Sequence, residues 1–143
     1  MAHQLHVDIV SAEGHIHHGP AQMVFAPAEM GEVGIAPRHA PLLTRLKPGE
    51  LRVQTPEGEM LHFFVGGGIL EVQPHLVTVL ADTALRAKDA DEQAALQSKQ
   101  RAEQALAGAK GEMDLAKAQA ELVEAAARLQ FVQKLRNVTR SSS

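Results

Sequence analysis

The chain has 143 residues, a formal net charge of -3, and no cysteine, tryptophan or tyrosine. That length holds one respectable core, here shared between a β module of about ninety residues and a helical appendage too small for a large core of its own. The charge removes a global basic field for nucleic acid or an anionic membrane, the missing rings remove a stacking platform for single strands, and the missing thiols remove disulfide chemistry. No apolar run approaches the roughly 20 residues a bilayer span requires and no N-terminal apolar segment directs secretion, so a cytosolic chain is expected.

In chain order, Leu5, Val7 and Ile9 alternate with His6 and Asp8, the period of a half-buried strand. A turn at Glu13-Gly14 follows. GHIHHG and QMVFAP read as two further short strands separated by Gly19-Pro20. GEVGIAPRHAPLLT is rich in glycine and proline but carries Val33, Ile35, Leu42 and Leu43, so it reads as a structured loop with short strands. LRVQT and EMLHFFV flank a turn at Pro56-Glu57-Gly58, and GGGILEVQ and LVTVLA flank Pro74-His75. Short strands punctuated at this rate predict a sandwich or flattened barrel of antiparallel strands.

Between His75 and Glu92 the apolar period changes from two to three and four, which sets a domain boundary near Ala87. Asp89, with Glu92 three residues on, is the predicted N-cap. Strong helix formers then run from Asp91 to Ala107, Gly108 and Gly111 interrupt, and a second helix runs from Met113 to about Arg136. Leu115, Ala118, Leu122, Ala125, Leu129 and Val132 form a heptad-like seam facing a narrower stripe of Ala95, Leu96, Ala102 and Leu106. The fold class is therefore α+β: an N-terminal antiparallel β-sandwich over 1–87, a C-terminal two-helix antiparallel hairpin over 88–140, and a disordered tail over 141–143. Alanine dominates the seam, so each contact buries little area and the hairpin is expected to be marginally stable, a candidate moving part.

No constellation for catalysis emerges. His15, His17 and His18 cluster, with His15 and His17 expected on one strand face, but no acid or cysteine at ligand spacing joins them beyond Glu13; exposed strand histidines and no metal are the expectation. Gly66 to Gly68 lack the Lys-Ser/Thr of a phosphate loop and read as a turn or bulge. Two segments remain as binding candidates. Met30 to Thr44 is more ordered than a connector requires, and Arg128 to Arg140 carries Arg128, Lys134, Arg136 and Arg140 with no acid, which either complements the helix dipole or meets an acidic partner. On the residues alone, a free-standing binding module and a small metalloprotein of sandwich type stay open.

GEVGIAPRHAPLLT, PGELRV and GGGILEVQPHLVTVLADTALRA, in this order and followed by a two-helix tail, closely resemble the epsilon subunit of bacterial F-type ATP synthases over nearly the whole chain. The resemblance implies a non-catalytic subunit of the rotating central stalk of a proton-translocating complex. Its sandwich would couple the gamma subunit to the c-ring, and its hairpin would fold down or extend into the head of alpha and beta catalytic subunits, where it inhibits ATP hydrolysis. It would lie on the cytoplasmic face of the bacterial inner membrane, touching the membrane only through the c-ring. By position, Gly31, Glu32, Val33 and Gly34 match the loop facing the c-ring, with Glu32 foremost, and Arg38 and His39 match the segment near gamma and the ring. Arg128, Lys134 and Arg136 resemble the cations that meet an acidic segment of the catalytic subunits. A nucleotide-binding pattern of some relatives aligns with Ala90 to Ala95. Here Asp91 is kept, but Ala94 stands where that pattern has arginine, which leaves Asp91 and Arg101 as the nucleotide candidates, weak ATP binding at most, and no cofactor.

Overall fold

The computed structural model describes residues 4–141, with side chains through residue 137. The chain divides into two compact units, the first ending at Lys88 and the second beginning at Asp89.

The first unit is a single sheet of eight strands: β1 (Leu5–Ser11), β2 (Gly14–Ala21), β3 (Met23–Ala28), β4 (Gly31–Ile35), β5 (Leu42–Gln54), β6 (Met60–Val72), β7 (Leu76–Ala81) and β8 (Ala84–Arg86). Their order is β2-β1-β7-β6-β5-β3-β4, with β8 pairing the first half of β6 beyond that path. Every pairing is antiparallel except β1 with β7, which is parallel. The alternation read from the sequence sends Leu5, Val7 and Ile9 inward, where they join Val24, Ile35, Leu51, Val53, Val65, Leu70, Val77 and Val79 in one buried cluster. Because that cluster draws on strands at both ends of the order, the sheet closes over its own apolar face.

Punctuation in the sequence does not break the strands as expected. β2 continues through Gly19-Pro20, since β2 is an edge strand and a proline there deletes no ladder hydrogen bond. β5 and β6 are each one continuous strand of 13 residues rather than pairs of short ones. Gly66 to Gly68 lie inside β6, and Gly68 has φ +135 with an added Cβ falling 2.1 Å from the Leu80 carbonyl oxygen. Only glycine permits the backbone of β7 to approach that closely.

In the second unit, α1 (Glu92–Ala107) begins after a 3-10 turn at Ala87–Asp89. Asp91, not Asp89, is its N-cap: the carboxylate accepts from the backbone N–H groups of Gln93 and Ala94. Asp89 is spent inside the preceding turn. Gly108 closes α1, Gly111 at φ +84 turns the chain, and α2 (Glu112–Ser141) follows. Helix thus continues through Ser141, which the sequence assigned to a disordered tail; residues 142–143 lie outside the described residues. Ala95 and Ala102 of α1 and Ala118, Ala125, Leu129 and Val132 of α2 are buried. Leu115, expected in the seam, is 42% exposed.

Candidate functional site

The segment from Met30 to His39 is built around β4. A two-residue turn, Glu29-Met30, joins β3 to β4 and leaves the Met30 side chain 97% exposed. Gly31 next to it takes φ +131, a conformation few other residues hold without strain. Glu32 pairs across the ladder with Pro27, and its carboxylate accepts from Arg52 Nη2 at 2.9 Å. The same guanidinium lies 4.5 Å over the Phe25 ring and 3.7 Å from Glu50, whose other oxygen is 3.2 Å from His62 Nδ1. Glu32 is therefore one end of a charged chain across the outer face. Val33 packs against the interior, so it holds the strand rather than offering a contact, while Gly34 is exposed beside the Phe25 ring.

Arg38 and His39 lie beyond the opposite end of β4. Pro37 and Arg38 occupy the centre of a turn closed by the His39 N–H donating to the Ala36 carbonyl, and Arg38 takes φ +70. Proline followed by a left-handed residue is the pattern of a type II turn, which favours glycine where arginine stands. The Arg38 N–H is held by the Pro74 carbonyl at 2.9 Å. The structure thus splits the predicted contact set into two groups separated by the length of β4, roughly 15 Å at about 3.3 Å per residue.

Sequence reasoning missed a surface on the same unit. Val10 pairs with Leu80 and Leu80 with Ile69, so three apolar side chains run side by side across β1, β7 and β6 on the outward face. Leu80 is 52% and Ile69 44% exposed, and Leu43, one row away on β5, is 70% exposed. The signal was present in the alternation: GGILEV and VTVLAD put large apolar residues at both parities, which a strand buried on one face does not need.

In the hairpin, Arg136 Nη1 donates to both carboxylate oxygens of Glu92 at 2.9 Å, tying the late part of α2 to the first turn of α1. At roughly 100° per residue Arg128 and Arg136 lie on neighbouring sides of α2 and Lys134 lies away from both. The Arg140 side chain is outside the described residues. Arg128 instead meets Arg101 in a hollow of about 490 Å³ between the two helices, together with Ser98, Glu121 and Glu124. Arg128 Nε is buried there without a hydrogen-bond partner. Asp91 is not part of this hollow; ten residues before Arg101, it is about 15 Å away along the axis and engaged as a cap.

The two units match two family models: residues 4–87 match ATP synthase, Delta/Epsilon chain, beta-sandwich domain, and residues 83–133 match ATP synthase, Delta/Epsilon chain, long alpha-helix domain. The ATP synthase epsilon chain of Nitrosococcus oceani is 65% identical over 136 residues, covering 95% of this chain and 97% of that one. The chain belongs to the ATP synthase epsilon-chain family. The epsilon chain of Thioalkalivibrio sulfidiphilus is 61% identical, covering 98% of this chain and all of that one (100%). The fold is also that of a chain in the Euglena gracilis mitochondrial ATP synthase OSCP/F1/c-ring assembly, at TM-score 0.74 and 17% identity over 89% of this chain and 80% of that one. Membership makes this a non-catalytic subunit of ATP synthase, in accord with the absence of a catalytic constellation from the sequence. Among the described residues, no helix is long and apolar enough to cross a membrane.

Proposed function

We propose that the β unit is the fixed coupling element between gamma and the c-ring in the central stalk of a proton-translocating ATP synthase, and that the helical unit is its movable inhibitor. The complex stands on the cytoplasmic face of the bacterial inner membrane. The Met30 turn and Glu32, at one end of β4, face the polar loops of the ring. Arg38, His39 and the outward row of Val10, Leu80 and Ile69, with Leu43, face gamma. The observation that carries this reading is that apolar row: a contiguous exposed apolar strip on a well-packed sheet marks a surface made to be covered. Replacing Ile69 and Leu80 together by aspartate is expected to abolish co-purification with gamma while leaving the unfolding transition of the isolated chain intact. Full retention of gamma by that variant would remove the row from the interface.

The hairpin inhibits by extending, so that Arg128, Lys134 and Arg136 reach an acidic segment of the catalytic alpha and beta subunits. Extension must first break the Arg136–Glu92 pair, which makes that pair a latch on the closed form. Nucleotide adds little to the closed state, because Asp91 is committed to capping and Ala94 presents no guanidinium. The expected dissociation constant for ATP is no tighter than about a millimolar; micromolar binding in a calorimetric titration would contradict this and assign the role to the Arg101–Arg128 hollow.

A further inference from the structure

On the outward face of β1, His6 and Asp8 stand two residues apart and so share a side. β2 adds a third donor. Its register pairs Asp8 directly with His18, and His6 with Pro20, so His18 lies diagonal to His6 on the same face. The three ligand-capable atoms, two imidazole nitrogens and one carboxylate oxygen, lie within 4.8 Å of one another, and His6 Nε2 is 3.6 Å from Asp8 Oδ1. The His6 and His18 ring centroids are 6.0 Å apart.

We propose that His6, Asp8 and His18 form a site for a divalent first-row transition ion of the zinc type. Bonds of about 2.0–2.1 Å to a tetrahedral ion set the ligand atoms roughly 3.4 Å apart. The observed spacing closes to that by rotation of two exposed imidazoles, with no movement of backbone. The backbone is already fixed, because β1 is hydrogen-bonded on one side to β2 and on the other to β7. Two imidazoles with one carboxylate select zinc, cobalt, nickel or copper over magnesium and calcium, which take oxygen ligands. The side chains of His6 and Asp8 remain 48% and 34% exposed, so the rest of the coordination sphere opens to water. The chemistry is that of a clip: three ligands from two strands hold the edge strand β2 to β1, and the bound ion stabilises the sheet by mass action. His17 stays out of the site, since it pairs with inward-facing Ile9 and its ring lies 5.3 Å from that of Phe63.

The test is a titration of the full chain with zinc ion alone, followed by calorimetry and by the ring nitrogen resonances of the histidines. The expected result is one equivalent bound, with His6 and His18 shifting together, His15, His39, His62 and His75 unmoved, and magnesium in large excess unable to compete. His18→Ala and Asp8→Asn should each weaken binding by about tenfold or more, while His3→Ala, outside the described residues, should leave it unchanged. The proposal is overturned if zinc binds with His6 and His18 unshifted, if His3→Ala removes the binding, or if no stoichiometric binding occurs below about a millimolar. The resonances are read on the unsubstituted chain, so a variant that fails to fold does not shield the proposal.

Discussion

The β unit and the helical unit are filled with different side chains. The interior of the sheet is mostly valine, leucine, isoleucine and phenylalanine with a few alanines, many of them without solvent contact, whereas the buried positions of the hairpin are largely alanine with Leu129, Phe131 and Val132 toward its end. Burying a branched aliphatic side chain contributes about 1.5–3 kcal/mol, and an alanine methyl about 0.8 kcal/mol. One unit is therefore built to hold a shape and the other to be given up cheaply. Both kinds of packing suit the proposed function, in which the β unit stays fixed and the hairpin rearranges.

Point substitutions should separate the two. Gly68→Ala puts a methyl group against the Leu80 carbonyl and the Ala81 Cα at a backbone angle that alanine resists, and should cost the β unit about 3 kcal/mol or more. Leu129→Ala, at a buried leucine of the hairpin, should cost that unit about 2 kcal/mol. Denaturant unfolding with separate probes of strand and helix is expected to show each variant shifting its own transition. A Leu129→Ala chain that lost both transitions together would mean that the units do not differ in this way.

A smaller effect depends on pH. Desolvation by burial, then the charges of His18, Arg86 and His6, hold the His17 imidazole below its ordinary value of 6.5, against a weaker opposing pull from Asp8. The unfolded chain therefore takes the proton more readily. The stability gained from a neutral His17 is present above the ordinary histidine value and is lost as pH falls through the lower folded one. His17→Leu should flatten this part of the acid profile of the β unit, read as the denaturation midpoint at neutral and mildly acidic pH. An unchanged slope would assign the acid sensitivity to other groups.

Much of the frame was legible in the residues. The inward alternation of Leu5, Val7 and Ile9, the turn at Glu13-Gly14 and the glycine-marked loop between the helices follow from local chemistry. What local chemistry hides is the partner across the ladder. Pro20 reads as a breaker until β2 is known to be an edge strand, and the parallel pairing of β1 with β7 joins segments some seventy residues apart. Asp89 and Asp91 are equally good caps in sequence; the 3-10 turn decides between them. The histidines show the same limit at closer range. A regular hairpin closing at Ser11 and Gly14 would pair Asp8 with His17. The bulge that inserts Ile16 moves His18 there instead, and also separates His15 from the face of His17. Of the predicted contact residues, Glu32 and Arg136 were chosen for partners outside the chain, and each also holds an ion-pair partner within it that lies far away in sequence.

The division of labour is tested most directly by the rate of ATP hydrolysis in assembled complexes that differ only in this chain. Glu92→Gln opens the latch and should favour the extended hairpin, so it should slow hydrolysis below that of the unsubstituted complex. Alanine at Arg128 and Lys134 removes cations that the extended form uses, leaves the Arg136–Glu92 latch in place, and should raise the rate. The difference should shrink at high ionic strength, because screening acts on the contacts the double variant lacks. Equal rates for all three complexes at low and high salt, or a Glu92→Gln complex that hydrolyses fastest, would contradict the account.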